Sequence, residues 1–379
     1  MSEYARYLDD SQRSFARPRT LAQWLHLDLV LLLPLCLIMV LGLFVLFSAS
    51  DGDWSTVSRQ LRNFVVGWGV LLVVAQVRID TIQRWSPALY FFALGLLLMV
   101  LMFGVGAKGA QRWLSLGIIR FQPSEVMKIA MPLAVAYWVV RYGLPPRLGV
   151  TVVSLLIIGL PAVVIGLQPD LGTALLVAAS GASVIFMAGI SWWQIMAGML
   201  TALAALWPAW LFILRDYQKQ RILTLFDPEA DKLGAGWNII QSKTAIGSGG
   251  WSGKGWLQGT QSHLDFLPES QTDFIIAVLA EEWGFRGVLC LLALYGLVVA
   301  RGFWISLTAQ STYGRLLASA ITLTFCVYVV VNMGMVAGLL PVVGVPLPFI
   351  SFGGTAIVTL MLGFGILTAI STEKRIISQ

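Results

Sequence analysis

Two stretches of this sequence run without one charged residue for far longer than a helix of a soluble domain: Leu171 to Leu214, 44 residues, and Leu316 to Thr372, 57 residues. About 20 residues of α-helix cross the hydrocarbon core of a bilayer, so each stretch has room for two crossings. The chain is 58% apolar and 12% charged, with a mean hydropathy of +0.80. Soluble domains are about 45–50% apolar and about 25% charged, and disordered chains need few apolar residues and many charges. Both classes are excluded. A polytopic α-helical membrane protein remains.

Isolated charges cut the rest of the chain into runs of the same kind. Residues 1–28 are polar and carry Arg6, Arg13, Arg17 and Arg19. The 19-residue apolar run Leu29 to Phe47 exceeds the roughly 7–15 residues of a signal-peptide core, so it is expected to stay as the first membrane helix. Asn63 to Val77, Trp85 to Ala107, Ser124 to Val140 and Leu148 to Pro169 give the next four. Leu171 to Leu214 gives two, divided near Gly189-Ile190-Ser191. Asp273 to Ala300 gives the eighth. Leu316 to Thr372 gives the last two, around the Pro-rich turn Leu340 to Pro348. The expected fold is all-α with ten transmembrane helices: seven in 29–214, a large loop at 215–272, three in 273–372, and a tail at 373–379. With the N-terminus inside, inner segments hold twelve Lys and Arg against five in the short outer loops. The positive-inside rule then puts both termini in the cytoplasm and the large loop outside. The net charge of +6 therefore reports orientation, not nucleic-acid binding, and no basic cluster is present. Cys36, Cys290 and Cys326 sit in apolar runs, with no disulfide or metal spacing.

In that orientation polar groups collect on the outer side. Glu125 and Lys128, spaced i, i+3, share a helix face and can pair. Asp170 lies in Gln168-Pro169-Asp170-Leu171-Gly172-Thr173, Asp273 opens the eighth helix, and Lys108 and Arg112 lie in an outer loop. The large loop adds Arg215, Lys219, Arg221, Lys243 and Lys254. Ionisable groups near membrane depth default to function. The plainer readings are a structural Glu125–Lys128 pair and an Asp273 that complements the positive end of its helix. Arg59, Arg62 and Lys232 read as solvated interface. Glu281, eight residues and about 12 Å beyond Asp273 along a helix, is expected near mid-membrane and unpaired, a candidate for a proton or ion path. Glu282 and Arg286, at i and i+4, are expected to neutralise one another. Gly247 to Gly255 fails the phosphate-loop pattern, because Ser248 and Gly255 stand where Gly and Ser or Thr belong; it reads as turns packed by tryptophans. His263 has no second ligand near it in sequence.

One carboxylate among several cations at headgroup level suits transfer from a lipid-linked pyrophosphate. The cations bind the leaving group, and Asp273 takes a proton from the attacking hydroxyl. The inner loops are too short for a nucleotide site.

Lys108-Gly109-Ala110-Gln111-Arg112-Trp113-Leu114, Phe121-Gln122-Pro123-Ser124-Glu125, Gln168 to Thr173, Phe226-Asp227-Pro228-Glu229 through Gly236, Phe266-Leu267-Pro268-Glu269, Thr272-Asp273-Phe274, Ala280-Glu281-Glu282 and Gly344 to Gly354 closely resemble the SEDS family (shape, elongation, division, sporulation). The resemblance runs along nearly the whole chain, and the Asp216 to Arg221 piece resembles the elongation member more than the division member. It implies a peptidoglycan glycosyltransferase of the bacterial inner membrane, taking lipid II into β-1,4 glycan strands and releasing undecaprenyl pyrophosphate. It implies Asp273 as the essential aspartate, Arg112 and Trp113 as the motif pair, and Glu125 and Lys128 as the helix-four pair. Lys108, Asp170, Arg215, Arg221 and Lys243 complete the expected substrate-binding set. The implied partners are a class B penicillin-binding protein and elongation-complex proteins such as MreC and MreD. Arg and Lys, or a divalent cation such as Mg2+ or Mn2+, would neutralise the pyrophosphate; Asp273 alone is no ligand set. A lipid II flippase and a non-enzymatic scaffold for the transpeptidase are the competing readings.

Overall fold

The computed structural model describes residues 27–107, 110–115, 120–231, 235–263 and 269–373. Its long helices are α1 (Leu29–Ala49), α2 (Trp54–Ala75), α3 (Ile79–Phe103), α4 (Pro123–Tyr142), α5 (Leu148–Leu167), α6 (Leu171–Met187) and α7 (Trp192–Pro208), which continues as a π-helical turn Ala209–Ile213. The segment that follows folds into α8 (Asp216–Phe226), a 3-10 turn Pro228–Asp231 and α9 (Ala235–Gly249). The bundle closes with α10 (Ile275–Thr308), α11 (Thr312–Val336) and α12 (Gly354–Thr372). Among the described residues, seven helices are long and apolar enough to cross a membrane: α1, α3, α5, α7 with its π turn, α10, α11 and α12. Helix α6 is apolar but shorter. Helices α2 and α4 have comparable length but carry Arg59 and Arg62, and Glu125, Lys128 and Arg141.

Local chemistry sets the boundaries. Asp28 caps α1 by accepting from Leu31 N at 3.1 Å, and Asp53 caps α2 through Ser55 N at 2.8 Å. Carboxylates suit these positions because they satisfy free amides at the positive end of a helix. The long apolar run divides at Gly189, whose φ of +81° is one that glycine adopts without strain. One expectation needs correction. The run Trp85 to Ala107 leaves the helix at Phe103, and the polar stretch after it is not simply a loop. It forms a small antiparallel sheet in the order β1 (Val105–Ala107), β2 (Ala110–Ser115), β3 (Arg120–Phe121). Gly104 is extended, and the glycines that follow at 106 and 109 disfavour helix.

Helices α1 and α10 pack side by side in opposite directions. Ser48 donates to the Glu282 carboxylate at one end, and Arg301 pairs with Asp28 at 2.8 Å at the other. Helix α2 lies along α12, and α6 is wedged among α4, α5 and α11. Helix α7 stands apart: none of its residues is buried, and Trp192, Trp193 and Trp207 are exposed. One hydrogen bond ties its start to α5, Thr151 Oγ1 donating to Gln194 Oε1 at 3.2 Å; the rest of this charge-free helix is suited to lipid, with tryptophans at its two ends.

Helix α10 is broken at Gly284, where φ is 67° and ψ is −165°. The chain bends so sharply there that a side chain at position 287 would lie 3.8 Å from Leu279 Cγ, whereas eight residues of straight helix span about 12 Å. The break overturns three expectations that assumed a continuous helix. Glu281 is not midway along the bundle; its neighbour Glu282 meets Ser48, at the end of the bundle where α1 finishes. Nor is Glu281 without partners, since Lys254 Nζ is 2.6 Å from its carboxylate. Glu282 and Arg286 do not pair: Glu282 meets Ser48, and the Arg286 guanidinium lies 5.9 Å from the centre of the Trp251 ring.

Candidate active site

Asp273 lies in the turn that leads into α10 and is partly exposed. The main chain around it is held from three elements. Ser351 Oγ donates to Thr272 O at 2.5 Å and accepts from Leu347 N at 2.8 Å. Phe352 N donates to Gln271 O at 2.9 Å. Asn332 Nδ2, on α11, donates to Asp273 O at 2.9 Å and to Val345 O at 2.6 Å. Gln60 on α2 donates to Ser351 O at 3.0 Å. Gln60 is six residues inside α2, and Asn332 is four residues before the end of α11, depths of about 9 Å and 6 Å. Asp273 therefore sits in a recess below the helix ends rather than on the rim.

The Pro-rich segment 340–348 ties this recess to the start of α6. Gly172, in the first turn of α6, packs on Val343 O. The next residue, Gly344, has φ +74° and lies against Asp273, whose Oδ2 would be 3.4 Å from any side chain there. Asp170 caps α6, accepting from Thr173 N at 3.3 Å and Thr173 Oγ1 at 2.9 Å. Strand β2 delivers Arg112 to the same corner: its Nη2 donates to Pro169 O at 2.5 Å, and its Nε is 3.6 Å from Asp170 Oδ2.

Glu125 and Lys128, in the first two turns of α4, are both buried and pair at 2.6 Å. The Lys128 ammonium lies 5.1 Å from the centre of the Tyr328 ring, a cation–π contact that desolvation strengthens. Tyr328 and Asn332 are four residues apart on α11 and so share one face. That face links the Lys128 pair to the Asp273 turn. Below the pair a narrow cleft runs between α4, α11 and α12, lined by Ile129, Pro132, Phe325, Leu360 and Phe364. It is charged at one end and apolar along its length.

The structure thus brings Asp273, Asp170, Arg112, Glu125 and Lys128 around one recess. Lys243, on α9, folds over Gly338 at the end of α11, where a cation complements the negative end of the helix; it stands on the rim. Trp113 follows Arg112 in β2 and is partly buried. Two expected members are elsewhere. Arg215 precedes α8 as its N-cap residue, its backbone N donating to Gln218 Oε1 at 3.0 Å, and Arg221 within α8 lies 5.9 Å from the centre of the Tyr217 ring; among the described residues no contact joins either to the recess. The expectation assumed that loop cations converge, but α8 packs on α9 and the 3-10 turn. Lys108 lies outside the described residues. Sequence reasoning missed Gln60, Tyr328, Asn332 and Ser351. The available signal was a polar side chain inside an otherwise apolar run. Among the described residues no three His, Cys, Asp or Glu side chains gather to hold a metal ion.

The profile of the cell cycle protein family of FtsW, RodA and SpoVE matches residues 22–376. The chain is 50% identical over 354 residues to the peptidoglycan glycosyltransferase MrdB of Escherichia coli K12, covering 93% of this chain and 96% of that one. It is 37% identical over 377 residues to a probable peptidoglycan glycosyltransferase FtsW of Trichlorobacter lovleyi, covering 95% and 96%. Among solved structures, a chain from work on a peptidoglycan synthase complex that coordinates polymerization and crosslinking superposes with a TM-score of 0.79 at 32% identity, covering 91% of this chain and 97% of that one. The rod shape determining protein RodA of Thermus thermophilus gives 0.68 at 30% identity, covering 91% and 96%.

Proposed function

The chain belongs to the FtsW, RodA and SpoVE family and is a peptidoglycan glycosyltransferase, and from that premise we propose that it polymerises lipid II in the recess that holds Asp273. The observation that carries this reading is the placement of one partly exposed carboxylate beside a buried and a half-buried cation–carboxylate pair, at the head of an apolar cleft.

Each part has a chemical task. Asp273 takes the proton from the 4-hydroxyl of the acceptor sugar. The hydroxyl oxygen attacks the anomeric carbon of the donor as its bond to the pyrophosphate breaks, so an α-linked donor gives a β-glycoside. A pyrophosphate leaving group needs no protonation, and one carboxylate suffices where glycosidases use two. Arg112 and Lys128 stabilise charge on the departing pyrophosphate. Their own carboxylates, Asp170 and Glu125, hold them in place while the recess is empty. The apolar cleft along α4, α11 and α12 takes the start of the polyprenyl chain. Helices α2, α4 and α6 complete ten crossings, with both termini cytoplasmic and the recess facing the periplasm, where the positive-inside count puts it. The likeness to a synthase-complex chain supports a penicillin-binding transpeptidase as partner, and the elongation branch adds MreC and MreD.

A flippase reading draws on one observation, the broken α10, since discontinuous helices line transporter sites. The test separates the two. Purified protein with its transpeptidase, given labelled lipid II and penicillin to block crosslinking, is expected to yield a ladder of glycan chains. A folded complex that yields none, yet moves lipid II across liposome bilayers, would overturn the polymerase reading of the recess.

A further inference from the structure

Glu281 has no part in the chemistry above, yet it is among the most elaborately held side chains in the molecule. It is fully buried. Its carboxylate accepts from Lys254 Nζ at 2.6 Å, Thr260 N at 2.8 Å, Gln261 N at 3.0 Å and Thr260 Oγ1 at 3.1 Å. Lys254 Nζ also meets Thr260 Oγ1 at 2.7 Å. Beside it, the glycine-rich segment 249–255 fills the break in α10. Lys254 N and Gly255 N donate to Glu281 O and Glu282 O, carbonyls that the break leaves without helical partners, at 3.0 Å and 2.9 Å. Phe285 N and Arg286 N, the amides on the far side, donate to Gly250 O and Trp251 O at 2.9 Å and 3.3 Å. Glycine permits this approach: a side chain at Gly253 (φ +78°) would overlap Glu282 O, and one at Gly284 would overlap Gly253 N.

The result is a clasp. The half-helix from Ile275 to Glu282 is buried at every residue. It has Asp273 at one end and Glu281 at the other, about 12 Å away along its axis. Asn332 and Ser351 hold the first end, and the clasp holds the second. Rigid elements transmit small shifts, and an error of about 1 Å in a reacting group can lower a rate about 100-fold. We propose that Glu281 is a positioning residue for glycosyl transfer: by clasping Lys254 and the amides of Thr260 and Gln261, it fixes the half-helix that carries Asp273. The inference rests on the reading of Asp273 as the base.

The test uses the full chain with its transpeptidase and measures initial polymerisation rates against lipid II concentration, normalised to folded protein. Glu281→Ala is expected to lower kcat at least about tenfold while KM stays within about twofold, because geometry rather than binding is lost. Glu281→Gln keeps an acceptor for the amides but leaves the Lys254 ammonium unmatched. Combining it with Lys254→Met is expected to recover much of the lost kcat, a coupling that a merely space-filling Glu281 would not produce. Wild-type kcat in folded Glu281→Ala would overturn the proposal. Should that variant fail to fold, wild-type kcat in Glu281→Gln, or no recovery in the double variant, would overturn it equally. If wild-type protein makes no ladder, the polymerase reading has failed instead. Limited proteolysis of 250–263 then still tests the clasp: faster cleavage in Glu281→Gln is expected, and unchanged cleavage contradicts it.

Discussion

Helices α4 and α7 show what hydropathy does and does not report. By length and composition α7 is a membrane span and α4 is not. Yet α7 buries nothing, while α4 buries thirteen of its twenty residues, Glu125 and Lys128 among them. A helix facing lipid on all sides must be apolar all round. A helix facing its neighbours can carry charge, provided the charges meet partners. The other two that fall short as spans are α2, which carries Arg59 and Arg62, and α6, which is free of charge but only 17 residues long. They bring Gln60 and Asp170 to the recess. The three helices that fall short as spans, two for their charges and one for its length, build the site, while α7, which passes as a span, buries none of its residues.

That contrast can be broken or sharpened by substitution. The largest loss of stability is expected for Lys128→Met, which leaves Glu125 buried without its cation; one broken buried pair costs about 3–5 kcal/mol. Glu125→Gln with Lys128→Met together should cost clearly less than Lys128→Met alone, and thermal unfolding in detergent checks both. Next comes Asn332→Ala. It removes the donor to the buried Val345 carbonyl and the part-buried Asp273 carbonyl and is expected to cost about 1–3 kcal/mol, read by the same unfolding measurement. The smallest effect is expected on α7. Leu203→Ala on that exposed face should change stability by no more than about 0.5 kcal/mol. A loss there comparable to Asn332→Ala would mean that α7 packs on protein after all.

Most of the helices could be read from charge-free runs, and so could the division at Gly189; α2 is the exception, since it begins at Trp54 rather than Asn63 and takes Arg59 and Arg62, expected in an outer loop, into the helix. Asp273, Asp170, Arg112, Glu125 and Lys128 stand out as candidates because they are ionisable groups at the ends of apolar runs, and the structure places them around one recess. The rest was hidden for identifiable reasons. Spacing rules place Glu281 and Arg286 only if the helix is continuous, and Gly284 looks like a tolerated glycine until a loop is seen to pair with the chain on both sides of it. The depth of Asp273 depends on the turn 340–353 folding back into the bundle, a tertiary fact with no local periodicity. Tyr328 and Asn332 sit in a 57-residue run without charge, where a phenol and an amide are easily passed over. The glycines of 249–255 were recognised as turn-forming, but the close backbone approach that needs them was not visible in sequence.

The most direct measurement compares wild type with Asp273→Asn in lipid II polymerisation, alongside photo-crosslinking of lipid II to each protein. A base that takes the acceptor proton contributes about 10²–10⁴-fold, so the ladder should vanish within that range while crosslinking to the recess persists. A ladder of wild-type intensity from Asp273→Asn would contradict the assignment and move the base to another group.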